Sequence, residues 1–229
     1  MRDGIRMYHT LFPRKYWILL VYLLFPATVG ILGMWCFQVG PVVGTLVSLM
    51  FATAVLVIAE YVLDIFMLYG TVSKEARSLE YIKTSAKGVD LFQTALYADG
   101  VRRIVTTMAS FGILYGVTRY NFSHQGDFIT IVNNGEILTC PKGITFLECA
   151  LVSVIFVELG LVITRRTQSI LLYLFLIYGM SGIASALVMF LAEYTNGILL
   201  AITVGVFVAV WLGSRRYLVW KVRMSYYDK

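Results

Sequence analysis

Thr71–Arg103 reads TVSKEARSLEYIKTSAKGVDLFQTALYADGVRR, the longest polar run in the chain, and it carries six of the nineteen Lys and Arg residues. Everything around it is apolar. The 229 residues are 59% hydrophobic and 14% charged, against roughly 25% charged in ordinary globular domains. Continuous apolar runs long enough to cross a bilayer recur on both sides of the stretch, which predicts a polytopic membrane protein. Every backbone polar group in lipid must be paired internally, and these runs are continuous rather than alternating, so helices are expected. Thr71–Arg103 is then the water-facing elbow between the second and third of six spans.

On the N-terminal side of the elbow lie two predicted spans. Tyr16–Phe37 is too long for a cleaved signal segment; Trp17 and Trp35 sit near its ends, and Pro26 should kink it. Val42–Tyr69 exceeds the roughly 20 residues needed to cross, so its end should project toward the elbow. Before both, residues 1–15 are basic and mixed. They read either as an interfacial amphipathic helix ended by Pro13 or as a disordered basic tail.

Beyond the elbow, Ile104–Tyr120 is the third span. The loop 121–142 follows, with Phe128–Val132 and Ile137–Cys140 as β-prone runs around Asn134-Gly135, a hairpin signal. Ile144–Thr164, Ser169–Leu191 and Ile198–Gly213 are the remaining spans. The fifth is dense in small residues (Gly179, Ser181, Gly182, Ala184, Ser185, Ala186), which lets a neighbouring helix approach closely. Residues 214–229 form a basic aromatic tail, lying along the membrane or extending the last helix. The expected fold is therefore all-α: a single transmembrane domain over 1–229, with a short elbow helix between spans two and three and a small outer β-hairpin between three and four.

Lys and Arg fix the expected orientation. With the N-terminus inside, seventeen fall on the inner side, and Arg119 and Lys142 alone fall outside. That bias places both termini in the cytoplasm. It also accounts for the net charge of +6 with no nucleic-acid partner. A bacterial plasma membrane suits the small chain and tight loops.

Four carboxylates fall within spans. Glu60 and Asp64 share a face of the second helix, and Glu158 lies at similar depth in the fourth. Ionisable groups at membrane depth mark functional sites by default. If the three meet, they make a cation or proton site or a polar lining; otherwise Arg102, Arg103 or water satisfies Glu60 and Asp64 at the inner interface. Glu148 falls nearer the outer surface, where it reads as an interfacial carboxylate. Cys36 and Cys140 are both predicted outside, either as a disulfide or as a pair of free thiols. Cys149 reads as a packing residue. No phosphate-binding loop, zinc-protease motif or serine-hydrolase elbow occurs, so no enzyme activity, cofactor or metal is expected of this chain.

Within the elbow, Val89–Ala98 is amphipathic and bracketed by Gly88 and Gly100. Val89, Phe92 and Leu96 form one face, flanked by Asp90 and Gln93. This segment reads either as a docking helix for a cytoplasmic partner or as a connector packed under its own bundle. The layout as a whole resembles the membrane subunit of an ABC transporter of the ABC-2 (type V exporter) class. Such subunits have a basic interfacial N-terminal helix, six spans with both ends inside, and a coupling helix between spans two and three. The resemblance is one of topology. It differs at the short outer turn Glu193–Gly197, where that class usually carries re-entrant helices. It implies a permease subunit paired with a second membrane subunit, identical or homologous, and powered by a separate cytoplasmic ATP-binding subunit docked on Val89, Asp90, Phe92, Gln93 and Leu96. The alternatives are an ion- or proton-coupled carrier or channel using Glu60, Asp64 and Glu158, an intramembrane lipid-modifying enzyme, and an assembly subunit or immunity factor.

Overall fold

The computed structural model describes residues 5–6, 19–38, 41–64, 87–124, 132–133, 136–137, 142–166 and 170–224. These form an all-α architecture with six principal helices. A π-helical turn, Leu19–Leu24, leads into α1 (Phe25–Phe37). Then come α2 (Pro41–Asp64), α3 (Gly88–His124), α4 (Gly143–Arg166), α5 (Ile170–Tyr194) and α6 (Gly197–Met224). Among the described residues, four segments are long and apolar enough to cross a membrane: Val43–Asp64, Gly143–Ile163, Leu174–Ala192 and Gly197–Trp220. They suit an integral membrane protein. Below, "inner" denotes the end of the bundle that holds Asp64 and Arg166, after the charge bias.

The break expected at Pro26 takes the form of a change in helical register. Proline has no N–H to give the carbonyl one turn back, and the wider π turn before Phe25 absorbs the mismatch. At the other end of the chain, the predicted tail continues α6 as helix to Met224. Asn196 starts that helix by accepting a hydrogen bond from the Leu199 N–H at 2.8 Å. In the outer loop, Val132–Asn133 pairs antiparallel with Glu136–Ile137, Val132 opposite Ile137. The rest of the predicted hairpin lies outside the described residues.

One expectation is corrected outright. The elbow helix and the third span are not separate: α3 runs unbroken from Gly88 to His124, 37 residues, about 55 Å at 1.5 Å per residue. Gly100, read as a bracket, sits in mid-helix. A Cβ there would overlap the Arg215 guanidinium and press on the Trp211 ring. The glycine makes room for a charged group from α6 rather than for a bend. Residues 71–86 of the elbow lie outside the described residues.

The core is organised around α4. Of its apolar window 72% is buried inside the protein, against 11% for α6, so α4 is the hub and α6 is mostly left to lipid. Phe146, Cys149, Ala150 and Val152 of α4 pack with Val29 of α1, Leu49 and Leu56 of α2, Phe111 and Leu114 of α3, and Val188 and Leu191 of α5. Two close approaches fix the partners of α4 and α2. The Tyr61 hydroxyl donates to the Phe156 carbonyl at 2.8 Å, and its ring covers Gly160 so tightly that a Cβ would collide with it. The Ser185 hydroxyl of α5, 2.8 Å from the Ser181 carbonyl in its own helix, lies 3.1 Å from the Met50 carbonyl of α2 and shares its one proton between them. The small residues of α5 thus divide. Ser181, Ala184 and Ser185 are buried, while Gly179 and Gly182 have nothing near them.

Candidate functional site: a buried ion layer

Eight charged side chains are buried among the described residues. Seven of them meet at the inner end: Glu60 and Asp64 from α2, Asp99, Arg102 and Arg103 from α3, Glu158 from α4 and Arg215 from α6. Each is 2% exposed or less.

Helix geometry explains how α3 supplies the centre. Asp99 stands three and four residues before Arg102 and Arg103, so all three share one turn and one side. Arg102 donates to Asp99 through Nε at 3.1 Å and grips Glu60 with both terminal nitrogens, at 2.8 and 2.6 Å. This two-pronged arginine–carboxylate geometry is among the strongest polar contacts available. Arg103 is the common element. It lies 3.0 Å from Asp64, 2.5 Å from Asp99, and 3.5 Å from both Glu60 and Glu158. One guanidinium therefore touches four carboxylates on three helices.

Arg215 closes the layer from α6. It pairs with Glu158 Oε1 and donates to the Leu96 carbonyl at 2.8 Å, lying in the space that Gly100 leaves. Ser214 donates to the other oxygen, Glu158 Oε2, at 2.8 Å. Asp99 precedes the predicted third span. Burial alone would raise its pKa, but the guanidinium groups of Arg103, Arg102 and Arg215 outweigh burial and hold the carboxyl well below the usual range. Because its folded pKa is depressed, its stabilising effect is present at neutral pH and is lost as pH falls through the acid range.

Glu60, Asp64 and Glu158 are brought together, with Arg102 on Glu60 and Arg103 among all three. The sequence reading missed Asp99 and Arg215. Asp99 was legible as the i, i+3 and i, i+4 partner of Arg102 and Arg103, whereas nothing in the sequence tied Arg215 to Glu158. Among the described residues, no three His, Cys, Asp or Glu side chains stand where one metal ion would reach them; Arg103 occupies the middle.

The other predicted site residues fall elsewhere. Phe92 and Leu96 are buried, at 2% and 0% exposure. Val89 and Gln93 are half-buried and Asp90 is exposed. The Tyr97 ring meets Trp211 of α6 edge to face, so the apolar face proposed for docking is filled by this chain. Cys36 is a buried free thiol, and Cys140, with which either a disulfide or a pair of free thiols was expected, lies outside the described residues. Glu148, expected at the surface, is 0% exposed, because its face of α4 is turned into the protein. No protein-family model, no curated protein and no solved structure matches the chain.

Proposed function

We propose that the chain is the membrane-embedded permease subunit of a multi-component transporter. In this reading six spans cross the membrane with both termini cytoplasmic, and a separate cytoplasmic ATP-binding subunit drives it from the 71–103 elbow. The buried ion layer closes the inner end of the path. The observation that carries the reading is the continuity of α3. A single rigid helix begins at the elbow and passes through the ion layer at Asp99, Arg102 and Arg103. A push on the elbow moves the side chains that tie α3 to α2 and α4. With Phe92 and Leu96 buried, the described part of the elbow offers a partner only its exposed edge at Lys87 and Asp90, and the rest of the docking falls to the polar sequence before it.

The test is a gentle pull-down of the tagged full chain from its native membrane, with mass spectrometry of what accompanies it. An ATPase bearing a phosphate-binding loop, in near-equal amount and lost when residues 74–83 are scrambled, is the expected result. A chain that arrives alone and moves ions by itself in vesicles would remove the reading.

A specific observation favours a second reading, the ion- or proton-coupled carrier. Glu60, Asp64 and Glu158 converge on Arg103, so loading one carboxylate with a proton or cation would loosen the grip of the arginine on three helices. Flux through the purified chain that Glu158→Gln abolishes is its expected sign; unchanged flux would remove it.

A further inference from the structure

The eighth buried charge stands apart from the ion layer. Glu148 is the sixth residue of α4, towards the outer end, with no exposed surface. Neither carboxylate oxygen accepts a hydrogen bond, and among the described residues no Lys or Arg stands within ion-pair distance. We propose that Glu148 is a proton-binding site: its side chain is a neutral carboxylic acid in this conformation and gives up the proton when the outer end opens to water.

The surroundings of Glu148 decide the form it takes. The hydroxyl of Thr195, in the turn between α5 and α6, faces the carboxyl. Its single proton is already committed to the Leu191 carbonyl at 2.7 Å. An ionised Glu148 must therefore compete with the Leu191 carbonyl for that one proton and meets no cation among the described residues, and a buried charge so poorly compensated is among the most unfavourable arrangements in a protein. A protonated Glu148 reverses the match, because its O–H has the free lone pair of Thr195 Oγ1 to donate to. Among the described residues, other groups at this level offer no cation. On α4 the adjacent titratable group is the buried thiol of Cys149. From α3 comes Tyr115, packed on Phe146, with its hydroxyl beside Gly143. From α2 come Thr45 and Ser48, the latter donating to the Thr45 carbonyl at 2.8 Å. From α6 comes Thr203, donating to Leu199 at 3.0 Å.

Release of the proton needs only that the turn holding Thr195 move away and admit water. Proton occupancy is thereby tied to whether the outer end is closed, whichever partner or gradient drives the chain.

The test is infrared spectroscopy of the full chain in lipid nanodiscs at neutral pH, with and without carboxyl-13C glutamate. The expected result is a protonated-carboxyl carbonyl band that shifts with the glutamate label and disappears in Glu148→Gln. In Glu148→Asp the band should become insensitive to the glutamate label and follow an aspartate label instead, which keeps the test open if the glutamine variant folds poorly. Absence of a glutamate-sensitive band at neutral pH would overturn the proposal. So would a band that survives both substitutions, which would put the proton in the inner layer. A band that emerges only when sodium is removed would equally overturn it, since the site would then hold a metal cation.

Discussion

The two ends of the bundle treat buried carboxylates in opposite ways. At the inner end, Glu60, Asp64, Asp99 and Glu158 are answered by Arg102, Arg103 and Arg215 within 2.5–3.5 Å or closer. At the outer end, Glu148 likewise has no exposed surface, but among the described residues no cation answers it. The difference lies in what each charge is available to do. The inner carboxylates are each paired with a guanidinium, so they serve as joints between helices, and the joints give way only if a partner is removed or moved. The outer carboxyl is free to take or lose a proton without breaking an ion pair.

The largest expected effect breaks the inner side of this comparison. Arg103→Leu removes the guanidinium that Glu60, Asp64, Asp99 and Glu158 share. Leaving buried charge uncompensated costs about 3–5 kcal/mol, which is a large fraction of the stability of a typical domain. Denaturation of the purified chain in SDS–detergent mixtures should shift by that amount. A variant as stable as the wild type would mean that the layer is not a joint. Acid should act in the same direction, because protonating Asp99 discards the stabilisation that its depressed pKa represents.

A smaller effect compares glycine contacts at the two ends. At Gly160 an added Cβ would run into the Tyr61 ring and hydroxyl, and Tyr61 cannot yield easily because it is 0% exposed and bonded to Phe156. Gly160→Ala should cost about 1–3 kcal/mol, as overpacking does. At Gly33, in the outer half of α1, the same methyl would meet the Cδ1 of Leu114 at 2.6 Å; Leu114 is also 0% exposed, but its contacting atom is the far end of a flexible aliphatic chain held by no hydrogen bond, so it can rotate where the bonded Tyr61 ring cannot. Gly33→Ala should cost under about 1 kcal/mol. Parallel unfolding of the two variants checks the ranking, and equal costs would show the inner contact to be no more rigid than the outer.

Much of the helical framework was legible from the sequence, because apolar runs of span length leave lipid-crossing segments little alternative to helix. Ile144–Thr164 and Ser169–Leu191 agree with α4 and α5 to within a few residues. The continuity of α3 was not legible. Glycine in mid-helix costs about 1 kcal/mol, so Gly100 read as a boundary. The reason it is tolerated, the guanidinium of Arg215 lying against it, comes from a residue 115 positions further along the chain. For the same reason the convergence of Glu60, Asp64 and Glu158 could be foreseen from their shared depth, while the cation that closes the layer from α6 could not. Glu148 misled for a different cause: depth along a span says nothing about which face of the helix is turned inward.

The smallest expected effect sharpens the comparison most. Glu60→Gln and Glu148→Gln are the same chemical change, one at each end. At Glu60 the substitution removes the charge that Arg102 grips with two nitrogens, and hydrogen bonds to charged groups are worth roughly 1.5–3 kcal/mol, so a loss of about 2 kcal/mol is expected. At Glu148 the amide replaces a group that is already neutral, keeps its size, and can still donate to Thr195 Oγ1 through its NH2. The expected change is within about 0.5 kcal/mol at neutral pH, the range of substitutions that disturb no specific feature. Unfolding of both variants at neutral pH and again at alkaline pH reads the difference. At alkaline pH the wild type must either keep an unsolvated carboxylate or hold its proton against the bulk, whereas Glu148→Gln faces neither burden. The glutamine variant should therefore gain on the wild type as the pH rises, while Glu60→Gln trails it throughout. If Glu148→Gln instead loses stability in step with Glu60→Gln at neutral pH, then Glu148 is ionised and partnered, and the asymmetry between the two ends of the bundle does not exist.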